Sequence, residues 1–502
     1  MQMNTLAPYK RFVCGLTTAC LLFSMLPISI GSAYTAAHAE SLATFPTGIS
    51  AVISSTLNKP TAKQPTTAAE LLKYEAQQAH QAARCAWPAL DKLWPGLQFQ
   101  SRIMLLTNGE QTYEITTEGY KLVDPSHPGL PLDLYFDHQY EKLEWNGKQA
   151  SAIFVDKDKP LQERFEPHTS TPSSFMTTTH EMFHFYDQPS WPLEDGTQYG
   201  SRSSIYPAES KPRIQRAMLF QSLYKAYSEP QASDKYLGHA AYWHEQYKQD
   251  NATEYKSSIY FDIIEGTATY VEKMADVYGA FKRSATTEQI RTYLSKQYAD
   301  VIKTEFVTFD SESYILGSLS ALLLDAMHKD WKHSATKGHN PIELLLNGIT
   351  PLPQPVDEQI KSDIEATIGK LNAERAISLE PLKKGLDDKQ IPLLLIPREI
   401  KRGVFSTRGF ITLKGYEQGS VIMNMTTKFT TNTGDLELTE RSMLRKYTTV
   451  ETQEGDYLIT PLPEGEYVRA GDTLTFKQNG LKGTVKVKAV KYDGREAFIV
   501  LP

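Results

Sequence analysis

An α+β architecture is expected for this 502-residue sequence: a mainly helical region with a small antiparallel sheet, then an all-β C-terminal domain. Three observations carry that expectation. Residues 97–155 hold short apolar and aromatic runs separated by turn residues, the pattern of strands. Residues 172–372 switch to apolar positions three and four apart, the helical period. Beyond Pro397–Gly403 the short runs return, punctuated by Gly, Asn and Asp pairs. The composition is globular, with 40% hydrophobic and 22% charged residues, which excludes a disordered, collagen-like or coiled-coil chain. A net charge of -6 without any basic run gives no reason to expect a nucleic-acid partner.

The elements follow in order. Lys10 and Arg11 precede an apolar stretch from Phe12 to Ala37 that ends Ala37-His38-Ala39, the pattern of a bacterial-style secretory signal over residues 1–39. The protein is therefore expected to be exported, to the periplasm or cell surface, without stable membrane insertion after cleavage. Cys20 lacks the large aliphatic residue three places earlier that lipidation needs. Cys14 and Cys20 leave with the signal, so only Cys85 remains and no internal disulfide can form. Residues 40–67, rich in Ser, Thr, Pro and Ala, predict a linker or arm. Ala68–Ala83 predicts a helix. Strands are expected at 98–106, 112–115 and 151–155, and helices at 177–186, 214–227, 259–277, 286–298 and 314–331. The last domain, 400–502, predicts a sandwich or small barrel, with strands at 409–413, 421–425 and 484–490. Its turns are expected at Gly434-Asp435, Gly471-Asp472, Asn479-Gly480 and Asp493-Gly494.

The chemistry concentrates in His180-Glu181-Met182-Phe183-His184. Four residues apart on a helix, His180 and His184 project from one face and can share one metal ion. Glu181 stands beside that face, placed to act as a general base. Thr177, Thr178 and Thr179 offer hydroxyls to cap the helix. Zinc needs a third protein ligand. Glu265 is an acid isolated among Ile263, Ile264 and Ala268, costly to bury unless paired or metal-bound. Glu194 and Asp195, nearer in sequence, are alternatives. Gly266 and Ala268 are small enough to let their helix approach the histidine helix.

An HExxH motif followed by a helix reading Glu-Gly-x-Ala-x-Tyr resembles the gluzincin clan of zinc metallopeptidases, over Thr177 to Leu324. The resemblance implies a zincin-like catalytic domain, here 68–395, with His180, His184 and Glu265 on Zn²⁺ and Glu181 as base. It also implies a peptide or protein substrate, and makes Tyr314, at the head of a later helix, a donor to the oxyanion. The metzincin arrangement fails, because Asp187 and Ser190 stand where Gly and His or Asp would be needed. Asp262 and Asp187 are candidates to orient the ligand histidines, and His239 and His244 are alternative donors. His328 and His333 are expected at the surface. Ala152–Val155, or the strands before it, could offer an edge to an extended peptide. Two other expectations stand beside this one: a non-catalytic envelope binding protein with a structural or decayed zinc site, and a zinc hydrolase of a non-peptide bond.

Overall fold

The computed structural model describes residues 65–127, 129–130, 134–193, 205–282, 284–299, 301, 311–403, 405–478 and 480–502. The expected signal segment, the arm up to residue 64, and Glu194 and Asp195 lie outside these described residues. The architecture is mixed helix and sheet, with helices followed by a strand-built C-terminal region, so α+β holds. Two compact units divide between Ile377 and Ser378. Among the described residues no helix is long and apolar enough to cross a membrane.

The first unit opens with α1 (Ala68–Leu93), where the Thr67 hydroxyl accepts from Glu70 N and the Glu70 carboxylate accepts from Thr67 N. Its buried face runs Leu72, Ala76, Ala79, Ala83, Trp87 and Leu90. The helix extends ten residues past the expected end and through Pro88, because Ala86, Trp87 and Leu90 continue the same buried stripe.

Five strands follow: β1 (Ile103–Thr107), β2 (Thr112–Ile115), β3 (Tyr120–Leu122), β4 (Tyr140–Trp145) and β5 (Lys148–Phe154). Their order is β3-β2-β1-β5-β4. The sheet is mixed rather than antiparallel, since β1 and β5 pair in parallel. Each flanking hairpin is antiparallel, and β5 runs alongside β1 in the same direction. The expected strand from 98 begins only at Ile103. Asp91 takes the Phe99 and Gln100 N–H groups (2.7 and 3.2 Å), which holds residues 99–101 in a 3₁₀ turn. β1 is buried on both faces: Met104 and Leu106 join the main core, while Ile103 and Leu105 pack with Val123 and Trp145. β5 lies between two strands, so the sheet's edges are β3 and β4 rather than Ala152–Val155.

The helices are α2 (Ser173–Tyr186), α3 (Ser210–Ser228), α4 (Ser233–Asp250), α5 (Ala252–Phe281), α6 (Thr287–Tyr298), α7 (Ser311–Ala326), α8 (Lys332–Ala335), α9 (Pro341–Leu346) and α10 (Glu358–Asp387). α5 packs along α1, α2 and α7. Gly266 faces α7, not the histidine helix as expected. A Cβ on it would stand 2.5 Å from Gly317 Cα, and one on Gly317 would stand 2.2 Å from the Asp262 carbonyl. Two facing glycines thus let the α5 and α7 backbones touch, which carries Tyr314 to Glu265.

In the second unit, β6 (Leu393–Pro397), β7 (Gly409–Leu413), β8 (Ser420–Thr431), β9 (Gly434–Val450), β10 (Gln453–Pro461), β11 (Tyr467–Ala470), β12 (Thr473–Gln478), β13 (Leu481–Tyr492) and β14 (Arg495–Val500) form one sheet. Pairing runs β13-β14-β6-β10-β9 and closes back on β13, a small five-stranded barrel. Closure needs glycine. A Cβ on Gly434 would meet the Thr484 carbonyl at 2.1 Å, and one on Gly483 the Asp435 carbonyl at 2.0 Å. Gly434-Asp435 therefore starts a strand rather than making the expected turn.

Candidate metal centre

α2 begins at Ser173, four residues before the expected start, so Thr177–Thr179 are interior and cap nothing. Their hydroxyls serve packing partners instead: Thr179 accepts from Trp87 Nε1 (3.1 Å), and Thr177 meets His138 Nδ1 (3.2 Å). The first turn is fixed by Glu75, fully buried, which accepts from Ser174 Oγ and Arg164 (both 2.5 Å). The approach to α2 is held by Asp276, whose Oδ1 accepts from Ser170 N, Thr171 N and the Thr171 hydroxyl. The histidine helix is thus pinned by buried charge before its chemistry begins.

His180 and His184 do project from one face, as their spacing predicts, and Glu265 meets them from α5. His180 Nε2 and His184 Nε2 lie 2.9 Å apart, and Glu265 Oε2 stands 3.3 and 3.1 Å from them. Four ligands about 2.0–2.1 Å from a tetrahedral zinc stand roughly 3.3 Å from one another. The three atoms therefore match one face of such a tetrahedron. Access remains, with the His184 side chain 18% and Glu265 14% exposed.

The outer nitrogens decide what the inner ones carry. His180 Nδ1 donates to Glu272 Oε2 (3.0 Å), and His184 Nδ1 donates to Gln188 Oε1 (2.5 Å). Gln188 is oriented in turn, its Nε2 donating to the Ile264 carbonyl and the Thr267 hydroxyl (2.7 and 3.0 Å). With both Nδ1 atoms protonated, neutral imidazoles leave both Nε2 lone pairs aimed at each other and at a carboxylate. One cation satisfies all three at once, which is what the donor set fits. Without one, burial opposes charge on His180, but hydrogen bonds to Glu265 and Glu272 outweigh it and raise its pKa to about 10. His184 is likewise raised against burial by Glu265, and Glu265 is lowered against burial by His184 and His180.

Glu181 belongs to the same cluster, its ligand atom within 4.8 Å of both histidines. Burial raises its pKa despite the nearby His184 and His180, and the Tyr140 side chain hydrogen-bonds to it. Tyr314 stacks on His180, with centroids 5.7 Å apart and planes 10° from parallel. Burial first, then Glu265 and Glu181, hold its phenol protonated well above the ordinary range, and it hydrogen-bonds Glu265.

The sequence places the other candidates wrongly. Asp187 is bound by Arg102 through two hydrogen bonds (2.8 and 2.7 Å), and Asp262 by Arg216 (2.5 and 3.1 Å) and Ser313 (2.6 Å). Neither orients a histidine; Glu272 and Gln188 do. Glu272 was within reach of periodicity, since it lies seven residues after Glu265 on the same helical face, whereas Gln188 stands past the end of α2 in a 3₁₀ turn. Tyr140 gave no such signal. His239 Nδ1 donates to the Leu352 carbonyl (3.0 Å), and buried His244 packs on Tyr255, so neither joins the centre. His328 and His333 are exposed, as expected, and Cys85 is half-buried. No protein-family model matches this chain, and no curated protein or solved structure is detectably similar to it.

Proposed function

We propose that the chain is an exported zinc-dependent peptidase of the gluzincin type, with a zincin-like catalytic domain. His180, His184 and Glu265 would hold Zn²⁺. The observation that carries this is the convergence of two imidazole nitrogens and one carboxylate oxygen within 2.9–3.3 Å, with both outer nitrogens already committed. A purely structural zinc site closes with four protein ligands, whereas three leave one position open. Zinc, when bound, supplies Lewis acidity that acidifies water and polarises a carbonyl.

The protein's own groups then divide the work. Glu181 takes the proton that water loses as its oxygen bonds to the carbonyl carbon. It returns that proton to the amine nitrogen as the C–N bond breaks, leaving a carboxylic acid and an amine, which become a carboxylate and an ammonium by proton exchange. A raised pKa suits a carboxyl that must both accept and give near neutral pH. Tyr314, kept protonated, would turn from Glu265 to donate to the developing oxyanion. The free edge of β4, beside Glu181 through Tyr140, suits an extended peptide laid along it.

The test compares residues 40–502 with the Glu181→Gln variant on a peptide library and on ester and amide model substrates. Wild type should carry about one zinc and cleave peptides, and the variant should keep zinc while losing at least ~10²-fold in rate. Full activity in the variant would sink the assigned base. Cleavage confined to non-peptide substrates would redirect the reading to another zinc hydrolase.

A further inference from the structure

We infer that Arg216 is a positioning residue for Tyr314, setting the rotation of α7 so that the phenol ring lies on His180; this rests on the peptidase reading above. Arg216 stands on α3, fully buried, with its guanidinium over the Tyr247 ring (5.1 Å). Its Nε meets the Glu312 carboxylate (2.6 Å), which Arg213 meets as well (2.5 Å). Its Nη atoms donate to both Asp262 oxygens (3.1 and 2.5 Å), and Nη2 also donates to the Ser313 hydroxyl (3.2 Å). Ser313 closes the ring by donating to Asp262 (2.6 Å). One planar group therefore holds α7 through Glu312 and Ser313, and α5 through Asp262, one turn before Glu265.

Successive residues of a helix point about 100° apart. With Glu312 and Ser313 turned toward Arg216 and Asp262, Tyr314 is carried round to the metal side, where its ring stacks on His180 at 5.7 Å and 10°. One turn on, Gly317 sets how close α7 comes to α5, since a Cβ there would stand 2.2 Å from the Asp262 carbonyl. That glycine fixes the spacing of the two helices without setting the rotation of α7; the guanidinium sets it. Stability alone does not call for such a cluster, because apolar side chains of similar volume often serve as well as buried ion pairs. A rigid fork of donors adds direction, and here the direction passes to the residue next in sequence.

Two measurements test this on the full mature chain. The first needs no catalysis: magnetic resonance of chelator-treated protein carrying isotope-labelled histidine. The stacked phenol shifts the His180 ring-proton signals, and Tyr314→Leu gives their position without it. Arg216→Lys keeps the charge but not the fork, and should move those signals most of the way to that position. Unmoved signals in a folded variant overturn the positioning role. The second is steady-state hydrolysis by the zinc-loaded protein. Arg216→Lys should lower kcat roughly tenfold with KM within about twofold, and should cost nothing further in a Tyr314→Phe background. An equal loss in both backgrounds overturns the link to Tyr314. Ser313→Ala removes only the hydroxyl from the ring, and should give the same pattern at about threefold in kcat. It decides the matter if Arg216→Lys does not fold, and no effect on either readout overturns the proposal. A wild type that cleaves nothing defeats the peptidase reading, while the histidine signals still decide by themselves whether Arg216 places Tyr314.

Discussion

Asp262 and Glu265 stand one turn apart on α5, the first buried and the second largely so, yet their surroundings are opposite in kind. Asp262 receives two guanidinium hydrogen bonds from Arg216 and a hydroxyl from Ser313, and Arg216 is itself shared with buried Glu312. Both carboxylate oxygens there face donors the chain supplies, and Asp262 and Glu312 hold the Arg216 charge more firmly than usual despite its burial. Glu265 faces two imidazoles whose available protons already go to Glu272 and Gln188. The first site is closed by covalent charges of the chain. The second would be completed by a cation from outside or, without one, by a proton on His180 facing Glu265. Burial of an acid does not by itself separate the two sites; what separates them is whether the facing charge is permanent, as on Arg216, or can be lost by titration, as on His180.

The largest expected effect separates the two residues directly. Asp262→Ala should cost about 3 kcal/mol or more in unfolding free energy, near the lower end for a broken buried pair because Glu312 still holds Arg216. Zinc per folded molecule should remain near one. Glu265→Ala should fold and lose its zinc. Denaturant unfolding and metal analysis on both variants decide the matter. If Glu265→Ala keeps its zinc, the outside cation is not what completes that site.

The next effect is a pH dependence that only the open site should show. In metal-free protein the His180 pKa rises from 6.5 to about 10 through its bonds to Glu265 and Glu272, against its burial. A folded pKa above the unfolded one means stability that is complete below pH 6.5 and lost as pH climbs toward 10. The Tm of chelator-treated protein should fall through that window. Zinc-loaded protein, whose His180 carries no Nε2 proton, should not lose this contribution, so the two curves should separate as pH rises. Parallel curves would mean that His180 is neutral in the metal-free state.

The contrast also explains what sequence could show. The two histidines and Glu181 are local, fixed by one helical turn, and Glu265 stood out because an acid among isoleucines demands a partner. Asp262, one turn before Glu265, is in the sequence only a candidate to orient a histidine, and its actual partner, Arg216, lies 46 residues away. The hairpin at Asp493-Gly494 was legible because both residues take positive φ, 53° and 76°, as their chemistry allows. The parallel β1–β5 pair was not, because strand direction is set by how the intervening chain returns, which leaves no periodic mark. Tyr140 was invisible for that reason: its place beside Glu181 depends on β4 being the outer strand.

Within the open site a finer comparison remains, between the two groups that orient the histidines. Glu272 brings a full negative charge to His180 Nδ1, itself lowered in pKa by Lys273 and His180 against burial. Gln188 brings only an amide oxygen to His184 Nδ1. Charge-assisted hydrogen bonds are roughly twice as strong as neutral ones, and a carboxylate also raises the basicity of the imidazole behind it. Glu272→Gln keeps an acceptor but removes the charge, and should weaken zinc binding about 10–100-fold in competition with a chromophoric chelator. Gln188→Ala removes the acceptor entirely, yet should cost less, within about tenfold, because no charge is lost and Glu265 still aligns His184. Should Gln188→Ala weaken binding more than Glu272→Gln, ring orientation rather than ligand basicity would govern how tightly this centre holds its ion.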